Sequence, residues 1–421
     1  MNILFLDAYY EPESIAYTHL EKDLIEGLIA DGHKIHIICP NPTRGISDEI
    51  REQYKKIKSE SKYDGSVIVE RFWAPQEGKN PLIRAFRYFW CNLRTYQQAV
   101  KQRNIDVVFS NSTPPTQGAL SGLVAKKLSK KSKKKVPFVY NLQDIFPDSL
   151  VNAGMAHKGG LLWKIGRKIE DFTYNHADKI IVISQGFKRN VMEKGVPEEK
   201  IEVISNWIDL DSVHPVERKD NTLISEFGLD PSKFIVVYAG NFGAAQGADI
   251  VLKAAKALVE EKDIQFVIFG GGSYFEDAKK EAEGLENVFI HELMPQDRIS
   301  EVYSLGDAAL ITCKAGTGKA GMPSKTWSIT ACNTPIIASF DTDSDLADII
   351  RDSGAGCCVE PENTEQLVNS IVDAYNEWKY GNAYHNNDFR SYVKDHASKD
   401  TCTQRYMNVM RRFCETKLLR S

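Results

Sequence analysis

Residues 316–325 read GTGKAGMPSK, which places glycines, lysines and a hydroxyl within ten positions. Such a set is suited to holding phosphate. A nucleoside-triphosphate P-loop needs G-x-x-x-x-G-K-[ST]. Here the first glycine position is Cys313 and the residue after Lys319 is Ala320, so no hydroxyl is supplied for magnesium. The P-loop reading fails at both places. The stretch instead ends in Pro323-Ser324-Lys325 ahead of a helix expected from about Thr326. That order brings a hydroxyl, a cation and helix-start N–H groups together, as a diphosphate requires.

Two other glycine-rich turns have the same character. YAGNFGAAQG (238–247) contains Gly240, Gly243 and Gly247, and FGGGS (269–273) contains Gly270 and Gly272. Glycine lets backbone approach a ligand closely. One such turn is no more than a tight strand-to-helix connection; three on one sheet edge favour a nucleotide. The first apolar run leads into DAYYEPES (7–14), which has no glycine. The G-x-G-x-x-G of an NAD or FAD domain is therefore missing, and no cofactor is expected. Acidic candidates are Glu11 and Glu13 in that loop and Asp144 in QDIFPDS (143–149). DTD (341–343) imitates a metal-binding D-x-D, but it stands between a strand and a helix, where Asp caps, so no metal is expected.

The elements that position these residues alternate. Apolar runs at 2–7, 34–39, 66–73, 106–110, 137–142, 179–184 and 201–205 are separated by helix-length segments such as 17–30 and 161–175. After a polar connection (206–221) the plan repeats at 234–240, 264–271, 288–293, 308–313, 335–340 and 356–360. Runs apolar throughout mean strands buried on both faces of a parallel sheet. The fold class is therefore α/β, with two doubly wound domains; 421 residues suit two cores better than one.

Residues 1–205 carry 31 Lys+Arg against 24 Asp+Glu, while the remainder carries 22 against 33, for an overall charge of −4. The two halves should meet different partners. Seven lysines fall in 126–135, and 80–103 interleaves Leu82, Ile83, Phe86, Phe89 and Trp90 with Arg84, Arg87 and Arg94. Basic and aromatic character together suit an anionic membrane surface. Nucleic acid is a poorer partner, because the basic character is local. The eight scattered cysteines lack C-x-x-C spacing, and neither a signal peptide nor a spanning segment is evident. A cytoplasmic protein, peripheral at the inner face of the cell membrane, is expected.

YAGNFGAAQG together with GMPSKTWSITACNTPIIASFDTDSDL (321–346) resembles the nucleotide-binding half of glycosyltransferase family 4. YYEPES, DGHKIHIICP (31–40), QDIFPDS and ISNWID (204–209) match its other half, and the likeness covers nearly the whole chain. The branch it looks most like is the WbuB-like fucosaminyl transferases of surface-polysaccharide assembly. The resemblance implies a GT-B architecture, two Rossmann-like domains facing a cleft, with boundaries at 1–205 and 206–388. A helical region at 389–421 would cross back to the first domain. It implies a retaining, metal-independent transfer of a sugar, an N-acetylated amino or deoxy sugar, from a UDP donor to a polyprenyl-diphosphate-linked glycan. A UDP-sugar 2-epimerase of similar architecture and a two-lobed solute-binding protein are the alternatives.

The resemblance assigns Gly240, Asn241, Gln246, Gly247, Gly270, Gly272, Pro323, Ser324, Lys325 and Ser328 to the donor, Ser328 at the position of the family's ribose contact, with uracil near Met294-Pro295. It assigns Asp144 and Glu11 to catalysis, and Tyr10, Glu13 and Asn206 to the acceptor side. This sequence departs from the family at several of these positions. Asn241 and Gln246 stand where the family has Arg and Lys, and its two E-x7-E glutamates fall on Ala320 and Ser328. The usual His before Asp144 is Gln143, and Ser14-Ile15-Ala16 replace glycines. Lys325 is thereby left as the principal diphosphate cation.

Overall fold

A computed structural model of the chain describes residues 1–418 except 14, 16, 77–80, 153–155, 244 and 382–387. Ser14, Ala16 and the first residue of segment 80–103 thus lie outside the described residues. The chain forms two compact units, Met1–Ser205 with Cys402–Ser421, and Asn206–Thr401. The helical stretch that begins at Phe389 accordingly stays with the second unit through Thr401, and only its later part belongs to the first.

The first unit is built on strands β1 (Asn2–Leu6), β2 (Lys34–Pro40), β3 (Ser59–Lys62), β4 (Val67–Phe72), β5 (Val107–Asn111), β6 (Phe138–Leu142), β7 (Lys179–Val182) and β8 (Ile201–Val203). Their order is β3-β4-β2-β1-β5-β6-β7-β8. Only β3 runs antiparallel to its neighbour. Its sequence, SESK, carries no apolar side chain, so no burial pattern announces it. The other strands read as unbroken apolar runs because side chains alternate between two covered faces. Leu4, Leu6, Val108, Phe138 and Tyr140 join the core on one side. Phe5 and Phe109 stack on the other, where Tyr406 of the final helix, Lys399–Leu418, meets Phe109. That helix is fixed there by Tyr406 donating to Asn141 Oδ1 at 2.9 Å and by Arg411 gripping Asp31.

The second unit contains β9 (Phe234–Asn241), β10 (Ile264–Gly271), β11 (Val288–Glu292), β12 (Ala308–Thr312), β13 (Ile336–Ser339) and β14 (Gly356–Val359). They form a parallel sheet in the order β11-β10-β9-β12-β13-β14. Ile235, Val237 and Ala239 enter one core, and Phe234, Val236 and Tyr238 enter the other. β9 and β12 are adjacent although far apart in sequence. Consequently the loops after residues 241 and 312 open at one edge, the carboxyl ends of the strands, where α/β sheets bind ligands.

Candidate functional site

A cavity of about 590 Å³ lies at that edge of the second unit, bordered by Gly240, Asn241, Gln246, Met294, Thr312 and Lys325. Lys325 begins the short Lys325–Ala331 helix. Its Nζ donates to the Ala239 carbonyl at 3.1 Å and lies 4.4 Å from the centre of the Tyr238 ring. No carboxylate pairs with it among the described residues, and burial alone pushes its pKa down to about 8. A cation held beside backbone and an aromatic face, without a counter-ion, is poised to receive an anion. Ser324 and Pro323 line the same wall, and the Ser324 hydroxyl is not used to cap the helix.

Tyr238 beneath the ammonium was not singled out from the sequence, because it reads as one more apolar residue of a strand. It is buried, burial pushes its hydroxyl pKa up to about 12, and the hydroxyl donates to Asn241 O at 3.2 Å. Thr312, at the end of β12, donates to Gln246 O at 2.7 Å. Both therefore hold the first glycine-rich loop from below.

The glycines divide by role. Gly240 faces the cavity, but Gly270 and Gly272 do not line it. A Cβ on Gly270 would strike the Phe275 and Phe242 rings; one on Gly272 (φ +110°) would lie 2.0 Å from Asn241 Oδ1. These two make room for the first loop and the rings beside it. Gly247 (φ +56°) similarly packs against the Cys313 backbone. Ser328, expected at the ribose, is buried within its helix and away from the cavity wall. Pro295 is replaced on the wall by Leu293 beside Met294.

Asp341 is engaged by backbone amides in this arrangement. Its two carboxylate oxygens accept from Gly316 N at 2.8 Å and Gly318 N at 2.7 Å, and Asp343 pairs with Lys319. The carboxylate thus shapes the loop that resembled a P-loop. The helix is capped by Ser344, which accepts from Ala347 N, and not by an Asp of DTD as expected. Among the described residues no group of three His, Cys, Asp or Glu could hold a metal ion.

The carboxyl edge of the first unit carries a separate polar network. Asn111 Nδ2 donates to Asp7 Oδ1 at 3.0 Å, and Asn141 Nδ2 donates to Asn111 Oδ1 at 2.8 Å. Gln143 Nε2 and Tyr406 both donate to Asn141 Oδ1. Beside it, Ser112 Oγ accepts from the Gln143 and Asp144 amides at 3.0 and 3.2 Å. The Asp144 side chain is exposed, yet partial desolvation raises its pKa while Ser149 and the Ile145 amide hold it down.

The expected acceptor-side residues are less available. The Tyr10 ring is buried under Lys62 and Arg71, and burial raises its pKa. Glu13 is buried, and its Oε1 accepts from Thr43 N at 2.6 Å and Arg44 N at 2.8 Å. Glu11 pairs with Lys62 at 3.0 Å. These side chains build the loop, so their types reflect its packing. Asn206 is half-buried at the start of the second unit, with Oδ1 unpartnered.

Comparison with known proteins covers both units. A profile described as Glycosyltransferase Family 4 matches residues 22–212, and one described as Glycosyl transferases group 1 matches 220–391. WcaI of Escherichia coli, which carries a colanic acid biosynthesis glycosyl transferase designation, is 25% identical over 98% of this chain and 100% of its own. WbjE of Pseudomonas aeruginosa, designated a glycosyltransferase, is 27% identical over 73% of this chain and 76% of its own. Among solved structures, a sucrose-phosphate synthase from Thermosynechococcus elongatus superposes with a TM-score of 0.72 at 15% identity, covering 99% of each chain. Anabaena HepE in complex with UDP gives 0.68 at 15% identity, over 98% of this chain and 100% of its own.

Proposed function

From the premise that the chain is a glycosyltransferase of GT-B fold, with a family 4 domain and a group 1 domain, we propose that it moves a sugar from a UDP-sugar to a polyprenyl-diphosphate-linked glycan in surface-polysaccharide assembly. The carrying observation is Lys325, a half-buried ammonium with no counter-ion among the described residues, on the wall of a nucleotide-sized cavity. Breaking a glycosyl–diphosphate bond places new charge on the leaving phosphate, and a preorganised cation answers that charge. Asn241 and Gln246 supply amides where cations were expected, so the burden falls on Lys325. The UDP and UDP-glucose complexes of HepE support the nucleotide class. The designation of WcaI supports the polysaccharide setting.

In the first unit we assign Asp144 to the acceptor hydroxyl, which its carboxylate would accept a hydrogen bond from and polarise. Retention of configuration and independence of metal belong to the same proposal. An acceptor carried on a lipid makes a membrane surface the partner of the first unit.

The test is a thermal-shift titration of the purified protein with UDP, GDP, dTDP and ADP, with and without EDTA. UDP should stabilise selectively, EDTA should change nothing, and Lys325→Met should abolish the shift. Stabilisation by another nucleotide, or an undiminished UDP shift in the variant, would overturn the donor assignment.

A further inference from the structure

Three helices, Pro81–Ala99, Gln117–Ser132 and Leu161–His176, cover one face of the first unit's sheet, the middle one packed against both others. Their ends are not level. Asn92 donates to Thr116, the residue that precedes the middle helix, at 2.8 Å. On the other flank Gly118 and Gly122 pack against Thr173 and His176. Residues 81–91 and 161–171 therefore extend past the start of the middle helix, each by about 16 Å at 1.5 Å per residue. Both extensions lie at the carboxyl ends of the strands. There Gly166 packs on Phe146 and Pro147, just beyond Asp144.

Each of these two projecting ends exposes three large apolar side chains close together in sequence. Ile83, Phe86 and Phe89 stand out on one, and Phe89 is 65% exposed. Leu161, Leu162 and Ile165 stand out on the other, and Leu161 is 78% exposed. Trp73 is exposed beside the first end and meets Trp90 edge to face at 6.0 Å. The nearby charges are mostly positive: 81–91 contains Arg84 and Arg87, and 156–168 contains Lys158, Lys164, Arg167 and Lys168, while the acids that follow, Glu170 and Asp171, both pair with Arg167. Arg87 is buried and holds the Pro75 carbonyl, whereas Lys158, Lys164 and Lys168 face out.

We propose that these two helix ends together are a docking surface for an anionic lipid bilayer. The proposal deepens the lipid-linked acceptor reading and gives it a place on the fold. Exposed apolar patches mark interaction sites. Aromatic and leucine side chains ringed by lysines insert at the headgroup boundary of negatively charged leaflets. A second copy of the chain is the poorer occupant, because a two-fold contact sets each cationic end against a cationic surface. The lysine-rich segment 126–135 is not part of this patch. It lies at the far end of the middle helix, where Lys131 donates to Val100 O and Lys101 O and Lys135 pairs with Asp178.

The experiment is sedimentation of the full chain with vesicles of phosphatidylcholine alone or mixed with phosphatidylglycerol, without donor or acceptor. Binding to the mixed vesicles, weakened by salt, is expected. Phe86→Ser with Phe89→Ser, Leu161→Ser with Leu162→Ser, and Lys164→Glu with Lys168→Glu should each reduce it at least about tenfold while melting stays unchanged. No binding to the anionic vesicles, undiminished binding by these variants, or binding lost only in Lys130→Glu with Lys134→Glu would overturn the proposal. So would a dimer in sedimentation equilibrium that the same apolar variants dissolve. Vesicle binding without any UDP shift would leave the docking surface standing and remove the donor assignment instead.

Discussion

The ammonium of Lys325 occupies the space that a side chain at Gly240 would need: a Cβ there would lie 2.8 Å from Nζ and 3.3 Å from the Tyr238 hydroxyl. The first glycine of the loop and the cation 85 positions later are thus one device. Gly240→Ala should push Nζ off the Ala239 carbonyl and out of line with a diphosphate. We expect UDP affinity to fall about tenfold, equivalent to about 1.4 kcal/mol, with little change in melting temperature. Isothermal titration of both proteins gives the comparison, and an equal Kd would separate the glycine from the ligand.

The same lysine sets a pH dependence. Its pKa is about 8 without ligand, below its usual 10.5, because burial disfavours the charged form. The unfolded chain therefore binds the extra proton between those values, and stability should rise with pH across that window. A bound diphosphate reverses the balance by favouring the ammonium. UDP should bind tightest below pH 8, lose affinity as pH rises past it, and take up a proton on binding near pH 8.5. Titrations in buffers of different ionisation heat report that uptake, and it should vanish in Lys325→Met.

Strands and their two covered faces were legible because burial is written into residue types. β3 was not, since Ser59–Lys62 pairs at an edge with no apolar signal. Glycines looked equivalent in sequence, but Gly240 faces the cavity whereas Gly270 and Gly272 accommodate Phe275 and Asn241. Spacing cannot distinguish contact with a ligand from contact with a neighbouring loop. Glu13 looked like an acceptor-side acid for a related reason: a carboxylate that binds backbone amides of a distant loop has the same letter as one facing solvent. The alignment of Asn92 with Thr116, which makes the helix ends project, depends on tertiary packing alone.

Asp7 and Glu21 form a buried carboxyl pair beside the Asn111–Asn141 network. Both pKa values are raised, chiefly by burial, and each also bears on the other across a hydrogen bond. Two carboxyls in contact retain a proton that the unfolded chain would release. The sign follows: their favourable contribution is fully present below the ordinary carboxyl range and is lost as pH climbs through the raised values. Glu21→Gln keeps a donor towards Asp7 without the ionisation. Urea unfolding from pH 5 to 9 should show wild-type stability declining and the variant's profile flatter. Parallel profiles would mean that the pair does not titrate in that range.

Asp144 is exposed at the end of β6, next to amides organised by Ser112, while Ser149 and the Ile145 amide engage its carboxylate. Those contacts admit two roles, orienting an acceptor hydroxyl or closing the turn that follows. Asp144→Asn separates them, because the amide oxygen can still accept in the turn but is a far weaker base. If the carboxylate serves the acceptor, turnover with the best UDP-sugar should fall about 100-fold or more, while UDP affinity and melting temperature hold. If it only closes the turn, turnover should survive and Asp144→Ala should lower the melting temperature. Its raised pKa adds a signature: wild-type turnover should be lost on acidification at a pH above the usual Asp value near 3.8, as the carboxylate takes up its proton. A pH–rate profile without that limb would remove Asp144 from the chemistry even if the variant were slow.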